Sequence, residues 1–214
     1  MHNDLFESIS QRSGEEETSE NRRIIEIANE LCGRCKLYEK QLRESKKNVD
    51  SFYIEQRVVE QFAKEKGLWI SMTQICDIGI PGPCGNENDT YVSNDVIYKV
   101  NNLMNSHTIS TLFEKIICHN NLFYETAYSF YAFTGFDGRT IFPIFRQSLI
   151  KNATPATIIE IETYMAALGF EKTEKLGAFV NEKYKVWDLL PRNVLKDEDG
   201  DLFIVDAEIE NINS

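Results

Sequence analysis

The stretch Trp187-Asp-Leu-Leu-Pro-Arg-Asn-Val-Leu195, followed by Phe203-Ile-Val-Asp206, constrains this chain more than any other part of it. Val194-Leu195, the turn pair Asp199-Gly200 and Ile204-Val205 predict a β-hairpin. A hairpin here returns the chain beside its start and puts Asp206 at its exit, near Asn193. An amide oxygen and a carboxylate then converge, a donor pair suited to a hard cation that keeps its other positions for water and phosphate oxygens. Asp188, at D-x-x-x-x-N spacing from Asn193, is left beside that point to orient or deprotonate a hydroxyl. The bland reading is a polar turn braced by the same side chains. Spacing, flanking apolar residues and the turn pair agree, which favours the chemical one.

The rest of the chain supplies a mixed frame. Residues 1–20 are polar, carry the run Glu15-Glu16-Glu17, and are expected to form a disordered tail. In residues 22–47, Ile24, Ile27, Leu31, Leu37 and Leu42 recur at roughly helical spacing. Residues 48–66 predict a second helix, which Gly67 would stop. Residues 68–75 are β-prone, and Gly79-Ile-Pro-Gly-Pro-Cys-Gly85 is dense in turn residues. Thr90-Tyr-Val92 and residues 96–100 predict strands, and residues 110–120 a helix. Residues 126–136 and 139–150 predict two more strands joined at Asp137-Gly138. Thr154 and Pro155 suit the N-cap and first position of a helix closed by Gly169. This order is an α+β pattern.

Composition removes several function classes. The net charge of -11, with a pI near 4.8, repels phosphate backbones and anionic membranes, and the pairs Arg22-Arg23 and Lys46-Lys47 sit among carboxylates. Neither nucleic acid nor membrane is expected as a partner. There is no apolar run long enough to span a bilayer, and no basic, apolar leader at the N-terminus. Five cysteines without framework spacing suit free thiols in a cytoplasmic, reducing setting. Cys32-Gly-Arg-Cys35 lacks the second ligand pair that zinc needs and the preceding strand of a redox site, so core or partner-facing thiols are expected. His119 is expected as a core or C-cap residue, and the aromatic block at 123–136 as core.

The sequence D-L-x-P-x-N, two apolar residues, a D-G turn and an apolar run ending in Asp resembles the catalytic and metal-binding loops of protein kinases. The chain is similar, over about 68–210, to the compact kinase-like domains of bacterial polyvalent proteins of mobile elements. Gly85-Asn-Glu-Asn88, Val96-Ile-Tyr-Lys-Val100, Phe113-Glu-Lys-Ile116, Phe133-Thr-Gly-Phe136 and Ala153-Thr-Pro155 carry the remaining similarity. The resemblance implies a minimal two-lobed kinase-like fold. A helical N-terminal arm (1–66) would precede a β-rich lobe (67–150) and a truncated second lobe (151–214), with ATP and Mg²⁺ in the cleft between the lobes. It implies that Lys99 holds the α/β-phosphates, Glu114 pairs with Lys99, Gly85 and the residues to 90 cover the phosphates, and Gln147 lies near the adenine. Asp188 becomes the catalytic carboxylate, and Asn193 and Asp206 the Mg²⁺ ligands.

The departures define the rivals. Val186-Trp187 replaces the usual His-Arg, Leu190 replaces a phosphate-stabilising lysine, and Ala207-Glu208 replaces Phe-Gly. Eight residues follow Asp206, too few for an activation loop and a peptide-binding helical lobe. The leading expectation is phosphoryl transfer from ATP to a hydroxyl of a protein or small molecule. The alternatives are a nucleotide-binding pseudokinase and a non-catalytic interaction module, with the helical arm a surface on which two copies could pair.

Overall fold

The structure, a computed structural model, describes residues 6–10, 18–47, 49–136 and 140–213. The acidic run at 15–17 and the pair Asp137-Gly138 lie outside them. The fold is α+β and divides into two compact units. The first comprises the described residues up to Glu114 together with Tyr128–Gln147, and the second Lys115–Ala127 and the chain from Ser148 onward.

The first unit opens with α1 (Glu7–Ser10), α2 (Ser19–Glu44) and α3 (Ser51–Glu65). Thr18 and Asp50 cap the two long helices by accepting the N–H groups of Asn21 and Phe52. Their apolar stripes, Ile24, Ile27, Ala28 and Leu31 on α2 and Ile54, Val58, Val59 and Phe62 on α3, are buried. Gly67, at φ 68°, takes the left-handed conformation that closes α3. Part of the expected tail is ordered: Phe6 and Ile9 are fully buried. Two apolar side chains among polar neighbours are enough to seat one helical turn.

The sheet of this unit contains β1 (Ile80–Pro81), β2 (Asn88–Ser93), β3 (Val96–Asn101), β4 (Ser129–Phe136) and β5 (Thr140–Ser148), in the order β1-β2-β3-β5-β4. Helix α4 (Ile109–Leu122) lies between β3 and β4 in sequence. Residues 68–75 form no strand. Leu68 and Ile70 exchange backbone hydrogen bonds with Phe133, then Ser71 turns onto the Gln74 side chain. The aromatic block is core, as composition suggested. The ring of Phe113 meets those of Phe6, Phe130, Phe133 and Phe145 at centroid distances of 6.0–6.4 Å.

The helices expected as an arm share one unit with the sheet. Phe62 stands edge-on to Phe133, and Gln56 Oε1 accepts the Ile141 N–H at 2.6 Å. Glu55, fully buried, accepts the N–H groups of Ile109 and Ser110, each at 3.0 Å. Those are amides at the α4 N-terminus that have no partner within their own helix.

The second unit holds the rest of α4, β6 (Thr154–Pro155), α5 (Ile158–Ala167), β7 (Glu171–Lys172), β8 (Phe179–Val180), β9 (Tyr184–Trp187), β10 (Val194–Lys196), β11 (Leu202–Ile204) and β12 (Glu208–Asn211). Two antiparallel sheets result, β11-β10-β6 and β12-β9-β8-β7. Ile161, Met165, Phe179, Val186, Leu189, Val194 and Ile204 fill their shared core. The expected helix start at Thr154-Pro155 is corrected: these residues pair with Lys196 and Leu195. The cap is Thr157, in a capping box with Glu160. Among the described residues, no helix is long and apolar enough to cross a membrane.

Burial pushes the Glu55 carboxyl up from 4.5 to about 7, against the pull of its two amide donors. Its folded pKa exceeds the unfolded one, so the native state holds a proton that the unfolded chain has released between pH 4.5 and 7. Stability from this group is full below that window and falls by about 3 kcal/mol across it. Urea titrations from pH 4.5 to 8 should show a downward slope in wild type that is absent from Glu55→Gln.

Candidate functional site

The loop after β9 is closed by its own backbone. Asp188 sits at φ 62°, the left-handed region that Asp tolerates better than most residues, and this turns the chain out of the strand. Leu189 is fully buried and donates its N–H to the Gly177 carbonyl at 3.0 Å. The Leu190 N–H returns to the Asp188 carbonyl at 2.9 Å, and the Asn193 N–H reaches the Leu190 carbonyl at 2.8 Å across the 3₁₀ turn Pro191–Asn193.

Asn193 then joins the two halves of the motif. Its Nδ2 donates to the Asp188 carbonyl at 2.7 Å and to Asp188 Oδ2 at 2.9 Å. Its own carbonyl accepts the Val205 N–H at 3.0 Å and the Asp206 N–H at 3.4 Å. The β10/β11 hairpin makes that return possible, with Val194 opposite Ile204 and Lys196 opposite Leu202. Asp197 Oδ1 accepts the N–H groups of Asp199 and Asp201, and Gly200 adopts φ 90°, so the expected turn is braced by the side chain two residues before Asp199. Beyond Asp206, β12 places Glu208 opposite Trp187, so both aspartates lie at one end of the β9/β12 ladder.

This geometry brings Asp188, Asn193 and Asp206 together. Arg192 Nη2 contacts Asp188 Oδ1 at 2.5 Å, so both carboxylate oxygens of Asp188 are engaged. Among the described residues, the Asn193 Oδ1 and the Asp206 carboxylate take no hydrogen bond. No three His, Cys, Asp or Glu side chains among those residues form a metal cage. Mg²⁺ commonly takes one or two protein ligands and completes its shell with water and phosphate, so one amide oxygen with one carboxylate fits it.

The other predicted residues lie in the first unit. Lys99 is on β3 opposite Thr90, is 7% exposed, and donates from Nζ to the Tyr128 hydroxyl at 2.9 Å, with Nζ 4.8 Å from that ring's centroid. Gly85 sits in the turn joining β1 to β2, its N–H bonded to the Asn88 carbonyl at 2.9 Å. Gln147 is buried near the end of β5. The expected Lys99–Glu114 pair is not formed; Glu114 accepts the Ser8 hydroxyl. The turn of α4 that carries Glu114 also faces the ordered N-terminal segment, which the sequence reading had left out of the fold.

Sequence reasoning missed Tyr128, Arg192, Gly177 and Lys115, whose Nζ lies 2.9 Å from Glu208 Oε1. Arg192 was signalled by its four-residue spacing from Asp188. The others depend on contacts distant in sequence.

Comparison with known proteins agrees with the geometry. Residues 54–212 match the family Kinase-PolyVal, described as serine/threonine/tyrosine kinase found in polyvalent proteins, and the chain belongs to this family. At the coarse level it is kinase-like, of the transferase class. Among curated proteins, none matches the chain.

Gly177 supports the loop through backbone geometry. It adopts φ 69°, and a Cβ there would lie 2.8 Å from the Leu189 carbonyl oxygen. Gly177→Ala should cost about 1–3 kcal/mol, read from the urea midpoint. It should also shift the NMR signals of Asp188 and Leu189 more than those of β11.

Proposed function

We propose that this chain is a phosphotransferase that moves the γ-phosphoryl group of ATP to a hydroxyl. The observation that carries the reading is the double use of Asn193, whose carbonyl holds the Asp206 segment while its amide holds Asp188. Membership of a kinase family supports it. A five-stranded sheet with Lys99 on its third strand, followed in sequence by α4, supports reading the whole as a reduced protein-kinase fold.

In this reading Asp188 orients the acceptor hydroxyl and takes its proton as the oxygen attacks the γ-phosphorus. The bond to the β-phosphate oxygen breaks and ADP leaves. Asn193 and Asp206 hold Mg²⁺, which neutralises charge on the phosphate oxygens. Lys99 holds the α/β-phosphates with Tyr128 as its neighbour, the turn at Gly85 covers them, and Gln147 lies toward the adenine. Arg192 offers beside Asp188 the positive charge that Leu190 does not. The acceptor is a protein or small-molecule hydroxyl, and the free thiols suit a cytoplasmic setting.

One observation favours a second reading, nucleotide binding without transfer. Arg192 and Asn193 each occupy one acceptor site on the two Asp188 oxygens, which leaves fewer sites for an acceptor hydroxyl.

Thermal unfolding with ATP, with and without Mg²⁺, tests the site. A ligand at 100 times its Kd stabilises by about 2.7 kcal/mol, and the Mg²⁺-dependent part should vanish in Asp206→Ala. Transfer of label from γ-labelled ATP, to the protein or to water, should fall at least about a hundredfold in Asp188→Asn. A Mg²⁺-dependent shift with no transfer in wild type would select the second reading. No shift in folded protein at millimolar ATP would leave the interaction module.

A further inference from the structure

We propose that Lys115 and Glu208 form a positioning pair for Asp206, an inference that rests on the Mg²⁺ role assigned above. Lys115, on α4, is 8% exposed, and its Nζ lies 2.9 Å from Glu208 Oε1. Glu208 stands two residues past Asp206, in the Ala207-Glu208 pair that replaces Phe-Gly. Its side chain is 19% exposed, and it faces Trp187, the residue before Asp188.

The segment carrying Asp206 is gripped on both sides. Upstream, the Thr126 hydroxyl donates to the Ile204 carbonyl at 2.6 Å. Thr126 is itself buried, with His119 Nε2 at 3.2 Å from both its carbonyl and its hydroxyl. Downstream, Lys115 holds Glu208. Between these grips only Val205, Asp206 and Ala207 remain, and Ala207 is buried. The Asn193 carbonyl meets the first two amides. The backbone that carries Asp206 is thus tied on both sides.

Stability alone is a weak reason for such a pair. The cost of removing two charges from water offsets their attraction, and well-packed apolar residues of similar volume often serve as well or better. What an apolar pair lacks is direction. A short charge-assisted contact fixes the strand's position along its axis, and that position sets where Asp206 points.

The test compares wild type with Lys115→Met/Glu208→Leu, which removes both charges and keeps an apolar fill. Its urea midpoint should equal or exceed that of wild type. In the ligand-free protein, the Val205 and Asp206 amides should exchange hydrogen about tenfold faster, with β10 unchanged. The Mg²⁺ concentration giving half of the ATP-dependent thermal shift should rise about tenfold, the usual size of losing a group that orients a metal ligand. The reversed pair Lys115→Glu/Glu208→Lys should recover part of both. Unchanged exchange and Mg²⁺ requirement in the folded double variant would overturn the proposal, as would a loss of stability with no change in either. If the double variant fails to fold, Glu208→Gln carries the same two readouts, and wild-type values there overturn it equally. A wild type without any Mg²⁺-dependent shift would bring down the phosphotransfer reading and this one together. A normal wild-type shift left intact by the variants brings down this one alone.

Discussion

Everything in the proposed site depends on Asn193 using its two ends for different tasks. Its backbone carbonyl ties the returning strand to the loop through Val205 and Asp206, and its side-chain amide ties the loop to itself through Asp188. A left-handed Asp188 is costly in isolation, by about 1 kcal/mol or more. Two hydrogen bonds from Asn193, the ion pair with Arg192 and full burial of Leu189 offset that cost. Aspartate at position 193 could not do the same. It would lose the donor and set a second carboxylate against Asp188.

The parts of the fold that were legible in the sequence are those whose contacts are local. The D-x-x-x-x-N loop closes through bonds spanning two to five residues, and the hairpin after it is set by an Asx-type turn. Thr157 shows how a local signal can still be misread. Its partner Glu160 stands three residues on, the signature of a capping box, yet Thr154-Pro155 offers a competing start. The competitor loses because Thr154 and Pro155 pair with Lys196 and Leu195 of β10, about forty residues on, a separation that local periodicity does not reach. The two- and four-residue strands β7, β8, β9 and β12 were hidden for the same reason.

The N-terminal helices show a different limit. Amphipathic spacing reveals that α2 and α3 have a buried face, but not what covers it. The clue lay in the polar residues. Glu55 and Gln56 stand beside apolar positions on α3, and each is buried against a backbone donor, the α4 N-terminus for one and β5 for the other. A buried carboxylate needs donors, and here the unpaired amides of a neighbouring helix end supply them. A helix carrying such a residue is therefore part of a packed unit rather than an arm.

A chain of net charge -11 must attract phosphate locally or not at all. Two lysines stand out as buried, and their neighbours differ in kind. Lys115 faces the Glu208 carboxylate, which cancels its charge and commits it to the backbone it holds. Lys99 has beside it the Tyr128 hydroxyl and ring, neighbours that orient an ammonium group through a dipole and a π-face. In the proposed reading the phosphate role is given to Lys99, on β3 of the sheet. In the proposed reading the Lys115 pair acts on nucleotide through the strand it fixes. In place of the expected Lys99–Glu114 pairing, the Tyr128 phenol lies against the lysine and Glu114 accepts the Ser8 hydroxyl.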